Sequence, residues 1–130
     1  MKSVTAAILI KDNKILIAKR KINDKLAGKW EFPGGTIEDG ETPEECLKRE
    51  MKEEFDIDVS VGDSLGESIY HYSQEAIQLL AYRSYWKSGV MEPQAHDEYR
   101  WVTIDEIDTY DFAPADIPFV DKIRRKEIEI

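Results

Sequence analysis

Apolar and polar residues follow a strand-like pattern over most of this chain. An apolar run at residues 4–10 and an alternating segment at residues 14–20 lie on either side of an Asp-Asn pair, and this arrangement predicts a β-hairpin. The polar residues 21–29 predict a loop. Residues 30–33 predict a short strand that leads into two adjacent glycines.

The second half of the chain keeps this pattern and then changes to a helical one. Alternating segments predict four further strands, at residues 57–61, 68–72, 76–86 and 98–103. Residues 105–107 predict a short helical turn, and residues 117–125 predict a C-terminal helix whose apolar residues face inward. Strands and two main helices in this order predict an α/β fold in which a mixed β-sheet is sandwiched between helices.

The clearest helix signal lies between the glycines and the first of these later strands. Thr42 is a good N-cap, Pro43 suits the first helical position, and Glu45 completes a capping box. The helix is predicted to run from Pro43 to about Phe55. An apolar stripe along it should anchor the helix to the core, at Leu47, Met51 and Phe55.

Three carboxylates project from one face of this helix. Glu50, Glu53 and Glu54 stand at i, i+3 and i+4, and Arg49 lies one turn from Glu53. In an arbitrary glutamate-rich helix, such a face is most often a solvated acidic surface. The alternative is a site for a hard divalent cation such as Mg²⁺, which prefers carboxylate and carbonyl oxygens and usually brings substrate phosphates with it.

Composition and charge narrow the choice of partners. The chain is long enough for one domain, residues 1–130, and 42% of its residues are hydrophobic. The net charge is −9, and residues 38–58 contribute most of it with ten acidic and three basic side chains. A chain this acidic is a poor ligand for the DNA or RNA backbone, so no nucleic acid partner is expected. A small polyphosphate can still bind where metal ions invert the local field.

Compartment signals favour a cytoplasmic protein. No apolar run approaches the roughly 20 residues that span a bilayer, so no membrane partner is expected. The N-terminal apolar run is short and does not resemble a secretory signal. Cys46 is the only cysteine, which excludes an intrachain disulfide and fits a reducing cytoplasm. The sequence is compatible with a monomer or a homodimer.

The spacing of the acidic residues decides between a solvated face and a metal site. It resembles the Nudix box, a motif of Gly, Glu, Arg and paired Glu at fixed intervals, and the matching residues are Gly35, Glu41, Arg49, Glu50, Glu53, Glu54 and Ile57. One position departs, since Asp56 stands where the family has a glycine. Asp tolerates the left-handed conformation better than most residues, so the turn should form.

Residues outside the box extend the resemblance to nearly the whole chain. The segments WEFPGG before the box and DFAPADIP near the end look like the MutT branch of the Nudix family, which acts on nucleoside triphosphates. The resemblance implies an α/β/α sandwich and a requirement for Mg²⁺ or Mn²⁺. It also implies hydrolysis of a normal, modified or oxidised nucleoside triphosphate to a monophosphate and pyrophosphate.

The same resemblance implies roles for the residues of the helix. The metal ligands would be the carbonyl of Gly34 and the carboxylates of Glu50, Glu53 and Glu54. Glu53 and Glu54 would also act in catalysis, with Arg49 orienting a box carboxylate.

Further positions receive supporting or less specific roles. Glu41 and Gly35 would support the loop before the helix. Glu98 matches a less constant carboxylate that ligates metal or acts as a base in some members of the family. His71 and His96 are expected to serve structure or surface more than catalysis.

Four residues are candidates for substrate contacts, each with a structural alternative. Arg20 ends the second strand and could contact phosphate or face solvent. Phe32 and Tyr72 could stack on a base or pack in the core. Asp116 could bind the base or cap the helix that follows it. An ionised Asp accepts the exocyclic amine of cytosine, whereas Asn both accepts and donates, as 8-oxoguanine requires, so cytosine nucleotides are favoured and oxidised purines come second.

The favoured function is therefore a nucleoside triphosphate pyrophosphohydrolase with a small-molecule nucleotide substrate, and two alternatives stand beside it. A non-catalytic nucleotide sensor usually loses a box carboxylate, and this chain keeps all three. A hydrolase for ADP-ribose or another nucleoside-diphosphate sugar typically carries extra N-terminal strands, which this short sequence does not show.

Overall fold

The computed structural model describes residues 1–21 and 25–130, and a six-stranded sheet forms its centre. The strands are β1 (Lys2–Lys11), β2 (Lys14–Arg20), β3 (Trp30–Glu31), β4 (Asp58–His71), β5 (Ala76–Ser88) and β6 (His96–Val102). The helices are α1 (Pro43–Phe55) and α2 (Ile117–Arg124), and 3₁₀ turns form at Ile107–Thr109 and Pro114–Asp116.

The sheet is mixed, as the sequence predicts. The strand order is β3-β2-β1-β5-β4, and β6 also pairs with β2. β1 and β5 run parallel, and the remaining pairs are antiparallel. No helix in the described residues is both long enough and apolar enough to cross a bilayer.

Two hydrophobic clusters lie on opposite faces of the sheet, because alternate residues of a strand point to opposite sides. On β1, Ile8 packs on one face and Leu9 on the other. α1 covers the face of Leu9 with buried Leu47, Met51 and Phe55, and α2 covers the face of Ile8 with buried Phe119, Val120 and Ile123. The predicted sandwich and the inward faces of both helices are confirmed.

The predicted hairpin forms between β1 and β2. Asp12 and Asn13 occupy its turn with φ of 52° and 63°, a left-handed conformation that these two residue types tolerate better than most. Of the loop predicted at 21–29, residues 22–24 lie outside the described part of the chain.

The prediction of two separate strands between α1 and β5 is wrong. β4 runs through the polar interruption and stays paired with β5. Register shifts between Val61 and Ser64, and between Ser64 and Gly66, keep the pairing continuous, because a bulge accommodates extra residues on one strand. Gly66 has φ of 108°, which glycine adopts readily.

The glycine segment after β3 runs beside β1 and so places the start of the acidic motif against the sheet. Thr5 N–H donates to Gly35 O at 2.8 Å, and Ala7 N–H donates to Pro33 O at 2.7 Å. A Cβ added at Gly34 would overlap the Thr5 carbonyl, so this close approach of two backbones requires glycine.

Candidate functional site

A cavity of about 940 Å³ opens between the glycine segment, α1 and the loops at this edge of the sheet. Its lining includes Gly34, Gly35, Glu50 and Glu54 from the glycine segment and α1, and Arg20, Phe32, Tyr72 and Asp116 from other elements. Its volume falls within the usual range of small-molecule sites, about 300–1,000 Å³. Residues that the sequence places far apart therefore share one pocket.

The start of α1 has the predicted capping box. The Thr42 side chain accepts from Glu45 N–H at 3.1 Å, and the Glu45 carboxylate accepts from Thr42 N–H at 2.8 Å. At the other end, Asp56 has φ of 58° and its N–H donates to Lys52 O. Asp56 thus makes the left-handed turn expected of it, and both ends of the acidic helix are fixed.

Arg49 is the centre of a hydrogen-bond network beside the cavity. Its Nε and Nη2 donate to the two oxygens of Glu41 at 2.6 and 3.0 Å, and its Nη1 donates to Glu50 at 2.9 Å and Glu53 at 3.1 Å. The hydrogen bonds from Arg49 lower the pKa of Glu41 to about 2. Nη2 also donates to Thr36 O at 3.1 Å, so Arg49 ties the loop before α1 to the helix.

The three box carboxylates occupy different environments. Glu50 and Glu54 line the cavity and their side chains are 17% and 9% exposed. Glu53 is 59% exposed and accepts a hydrogen bond from Arg49, and it is not among the described residues that line the cavity. A Cβ at Gly35 would overlap the Glu50 carboxylate, so glycine there leaves room for this side chain.

Glu54 has the chemistry of a cation ligand. Its Oε2 atom is buried and has no hydrogen-bond partner among the described residues. Burial raises the pKa of Glu54 well above its usual value, and the nearby Glu31 and Glu50 carboxylates raise it further. A cation bound beside Glu54 would supply the missing partner and offset the mutual repulsion, so the residues present fit a divalent metal ion.

The site contains a pair that sequence reasoning missed. His96 Nε2 lies 2.7 Å from Glu31 Oε2 and 3.6 Å from Glu54 Oε1. One ligand atom from each of these residues falls within 4.8 Å of the others, a spacing that could hold a metal ion. The histidine ring stacks on Phe55 with centroids 5.4 Å apart and an angle of 9° between the planes. Nothing in the local pattern of the sequence marks residues 31 and 96 as neighbours.

The structure does not place Glu98 in the cavity wall. Its carboxylate is 2.6 Å from Arg100 and 3.6 Å from Lys19. On the paired strands, Lys19 faces Glu98 and Arg20 faces His96, with a register shift between them. Adjacent residues of β2 point to opposite faces of the sheet. Because of the bulge, His96 lies with Arg20 on the cavity side, whereas Glu98 lies with Lys19 on the opposite side.

Arg20 lines the cavity, as expected of a substrate contact, but its guanidinium also supports another side chain. Its Nη1 donates to Glu31 Oε1 at 2.6 Å. Glu31 thereby lies between Arg20 and His96, and one wall of the cavity is a continuous row of charged and polar groups.

Asp116 lines the cavity and occupies the N-cap position of α2, but its side chain does not cap the helix. It is 5% exposed, makes no side-chain capping bond, and accepts through Oδ1 from Phe32 N–H at 3.0 Å. Burial raises the pKa of Asp116 well above its usual value, and the Glu31 carboxylate acts in the same direction. The alternative role as a helix cap is therefore wrong.

The two aromatic candidates flank Asp116. Phe32 is buried in the hydrophobic cluster and also lines the cavity. Tyr72 is half-buried, and its hydroxyl accepts from Ala115 N–H at 3.3 Å. Burial raises the pKa of Tyr72. Tyr72 thus lines the cavity and has its hydroxyl fixed to the turn that carries Asp116.

The loop before β6 closes the C-terminal end of α1. Gln94 N–H donates to Glu54 O at 2.7 Å, and Glu92 N–H donates to Phe55 O at 2.8 Å. These bonds satisfy two carbonyls that a helix end leaves without intrahelical partners.

Comparison with known proteins agrees with this geometry. The family model described as "NUDIX domain" matches residues 1–123. The chain is 36% identical to the CTP pyrophosphohydrolase of Escherichia coli (strain K12) over 93% of this chain and 90% of that protein. It is 30% identical to the 8-oxo-dGTP diphosphatase of the same organism over 96% of this chain and 99% of that protein.

Solved structures give the same result. The solution structure of the E. coli ORF135 protein superimposes with a TM-score of 0.84 at 33% identity, covering 98% of this chain and 91% of that one. The MutT protein of Staphylococcus aureus 252, a Nudix hydrolase, superimposes with a TM-score of 0.77 at 37% identity, covering 96% of each chain.

Proposed function

This chain belongs to the Nudix family, and on that premise we propose that it hydrolyses nucleoside triphosphates to a monophosphate and pyrophosphate with Mg²⁺ or Mn²⁺. The observation that carries the proposal is a cavity lined both by carboxylates of α1, Glu50 and Glu54, and by aromatic side chains, Phe32 and Tyr72. A nucleoside triphosphate needs both kinds of group, because it has a charged phosphate chain and an aromatic base.

The carboxylates of α1 would hold the cation. Glu50 and Glu54 line the cavity, and Glu53 lies beside them on α1. The Thr5 and Ala7 amides bind the carbonyls on either side of Gly34, so the Gly34 carbonyl, which points the other way in an extended backbone, would complete the set. A bound divalent cation neutralises triphosphate charge and lowers the pKa of a bound water.

The chain's own residues would orient the reacting groups. Arg49 holds Glu50 and Glu53 through Nη1, which limits the rotamers of both carboxylates. A carboxylate of this cluster would accept the proton of the attacking water. Glu98 has no part in this proposal, because its carboxylate is bound to Arg100 and Lys19.

Cytosine nucleotides are the favoured substrates, and oxidised guanine nucleotides come second. Asp116 uses Oδ1 to accept from Phe32 N–H, and its carboxyl also lines the cavity. When ionised, it can accept the exocyclic amine of cytosine. When protonated, it can donate to the cytosine ring nitrogen or to O6 of 8-oxoguanine. One relative at 36% identity is a CTP pyrophosphohydrolase, which agrees with this preference.

The test is a panel of dCTP, CTP, dGTP, 8-oxo-dGTP and ADP-ribose with Mg²⁺, in which released pyrophosphate and phosphate are measured separately. We expect pyrophosphate from the triphosphates, with the highest kcat/KM for a cytosine nucleotide. Addition of EDTA should abolish release, and excess Mn²⁺ should restore it. Hydrolysis of ADP-ribose without pyrophosphate release from any triphosphate would contradict the proposal.

A further inference from the structure

His96 is a buried histidine held between two carboxylates. Its side chain is 3% exposed, and Nε2 lies 2.7 Å from Glu31 Oε2 and 3.6 Å from Glu54 Oε1. Nδ1 is buried without a hydrogen-bond partner in the described part of the chain. The ring therefore makes its polar contacts through Nε2.

The surroundings of Nε2 assign its proton. A lone pair on Nε2 would face oxygens of Glu31 and Glu54 and be repelled by both. A hydrogen on Nε2 instead donates to Glu31 Oε2, at a distance typical of a charge-assisted hydrogen bond. Arg20 Nη1 fixes the other oxygen of Glu31 at 2.6 Å. Glu31 is thus held on both sides and can hold the imidazole in turn.

The ring is also tied to the helix that carries Glu54. Phe55 follows Glu54 in α1, and its ring stacks on the imidazole. Stacked rings and a hydrogen-bonded Nε2 leave the imidazole little freedom, so Nε2–H stays directed at Glu31 Oε2 and the ring stays against Glu54 Oε1. Glu54 Oε1 lies 3.6 Å from Nε2, while Oε2 has no hydrogen-bond partner among the residues that the structure describes.

We propose that His96 is a positioning residue: its imidazole, held by Glu31 and stacked on Phe55, confines the adjacent Glu54 carboxylate so that Oε2 stays available for a divalent cation. This inference rests on the proposed function for its effect on catalysis. A group that orients a metal ligand changes metal affinity or activity by about 10–100-fold when removed. A histidine that only fills space would change stability and leave metal affinity alone.

The experiment compares three variants. His96→Leu removes the donor, and His96→Gln keeps an N–H donor near the position of Nε2. His71→Gln is the matched control, because His71 is an exposed histidine at the end of β4. Mn²⁺ is titrated into each metal-free protein without nucleotide and followed by electron paramagnetic resonance, and kcat and KM for dCTP are measured separately.

We expect H96L to weaken Mn²⁺ binding and lower kcat by about 10–100-fold each. We expect KM for dCTP to change by less than about twofold, because His96 makes no proposed contact with the base. H96Q should recover most of both losses, and H71Q should match the wild type. Wild-type Mn²⁺ affinity in folded H96L, or no recovery in H96Q, would overturn the proposal.

A second variant covers the case in which H96L does not fold, as judged by thermal unfolding of the metal-free protein. Glu31→Gln keeps the side-chain size and removes the charge that holds Nε2–H. It should weaken Mn²⁺ binding in the same direction, and wild-type affinity in E31Q would overturn the proposal.

The two proposals fail differently. Absence of pyrophosphate release by the wild type would contradict the proposed function, whereas the Mn²⁺ titration without nucleotide still tests His96.

Discussion

The guanidinium of Arg49 donates a bidentate pair of hydrogen bonds, here called the fork, to the carboxylate of Glu41, with Nε 2.6 Å from Oε2 and Nη2 3.0 Å from Oε1. The remaining nitrogen of the fork reaches two carboxylates of α1. Loop and helix are therefore joined by one planar group, and the alignment of the acidic face depends on its shape as well as its charge.

Arg49→Lys should damage the site although it keeps the charge. A lysine ammonium cannot make the two parallel bonds of the fork. We expect kcat to fall by about 10–100-fold, as for other groups that orient metal ligands, and the unfolding temperature to fall as well. Lys48→Arg, a change at the exposed neighbouring position, is the control. Equal kcat in R49K and the wild type would show that charge alone is sufficient.

The fork should also shape the response of the protein to acid. The pKa of Glu41 is lowered from 4.5 to about 2 by the hydrogen bonds from Arg49. A lowered pKa in the folded state adds stability above the unfolded value and loses it as the pH falls through the folded value. The stability difference between wild type and Glu41→Gln should therefore be constant near neutral pH and shrink from about pH 4.5 towards about pH 2. Urea unfolding across this range measures it, and a difference that does not depend on pH would contradict the assignment.

Glu53→Gln and Glu54→Gln should both reduce turnover, with the larger loss at Glu54. Glu54 is buried in the cavity with one oxygen that has no hydrogen-bond partner in residues 1–21 and 25–130, whereas Glu53 is exposed. We expect kcat of E54Q to fall by more than about 100-fold, beyond the loss caused by removing a supporting group. E54Q should also raise the unfolding temperature of the metal-free protein, because it removes a carboxylate whose ionised form is disfavoured by burial. Wild-type kcat in either variant at saturating Mg²⁺ would remove that residue from the metal site.

Asp116→Asn should shift substrate preference from dCTP towards 8-oxo-dGTP. Asn keeps an oxygen for the bond from Phe32 N–H and adds a permanent donor. The pKa of Asp116 is raised by burial, so rising pH should ionise it and lower the ratio of 8-oxo-dGTP to dCTP turnover. In D116N this ratio should not depend on pH. A ratio of kcat/KM values that is the same in both proteins would remove Asp116 from base recognition.

Tyr72→Ala should raise KM for nucleotides, since stacking of a base on an aromatic ring contributes about 1–3 kcal/mol. Tyr72→Phe is the matched control, because it keeps the ring and loses the hydroxyl that accepts from Ala115 N–H. We expect Y72F to keep a KM close to that of the wild type. If KM rises equally in Y72A and Y72F, the hydroxyl bond matters and the ring does not stack.

The sequence predicts α1 well because its signals are local. Thr42, Pro43 and Glu45 mark its start within four positions, and Asp56 marks its end. The shared face of Glu50, Glu53 and Glu54 follows from helical spacing alone. Such signals depend on neighbours in the chain, so no knowledge of the tertiary structure is needed to interpret them.

The contacts of Glu31 and His96 could not be predicted in this way. They come from β3 and β6, which both pair with β2, and a bulge beside Arg20 decides which residue of β6 faces the cavity. Alternation of residues along β6 cannot show where a bulge lies. The sequence therefore does not tell whether Glu98 or His96 faces the cavity. The wrong prediction of two strands in place of β4 has the same cause. The bulges in β4 interrupt the alternation of apolar and polar residues while the pairing with β5 continues.

The exposed segment at 89–95 is less tolerant of engineering than its position suggests. Its backbone donates to the carbonyls of Glu54 and Phe55, so the position of Glu54 depends on the length of this surface loop. A tag, fusion partner or purification epitope inserted there would displace the loop backbone. The two hydrogen bonds would pass that displacement to the end of α1 that carries Glu54. The turn at residues 12–13, at the far end of the hairpin, is the better place to attach a label.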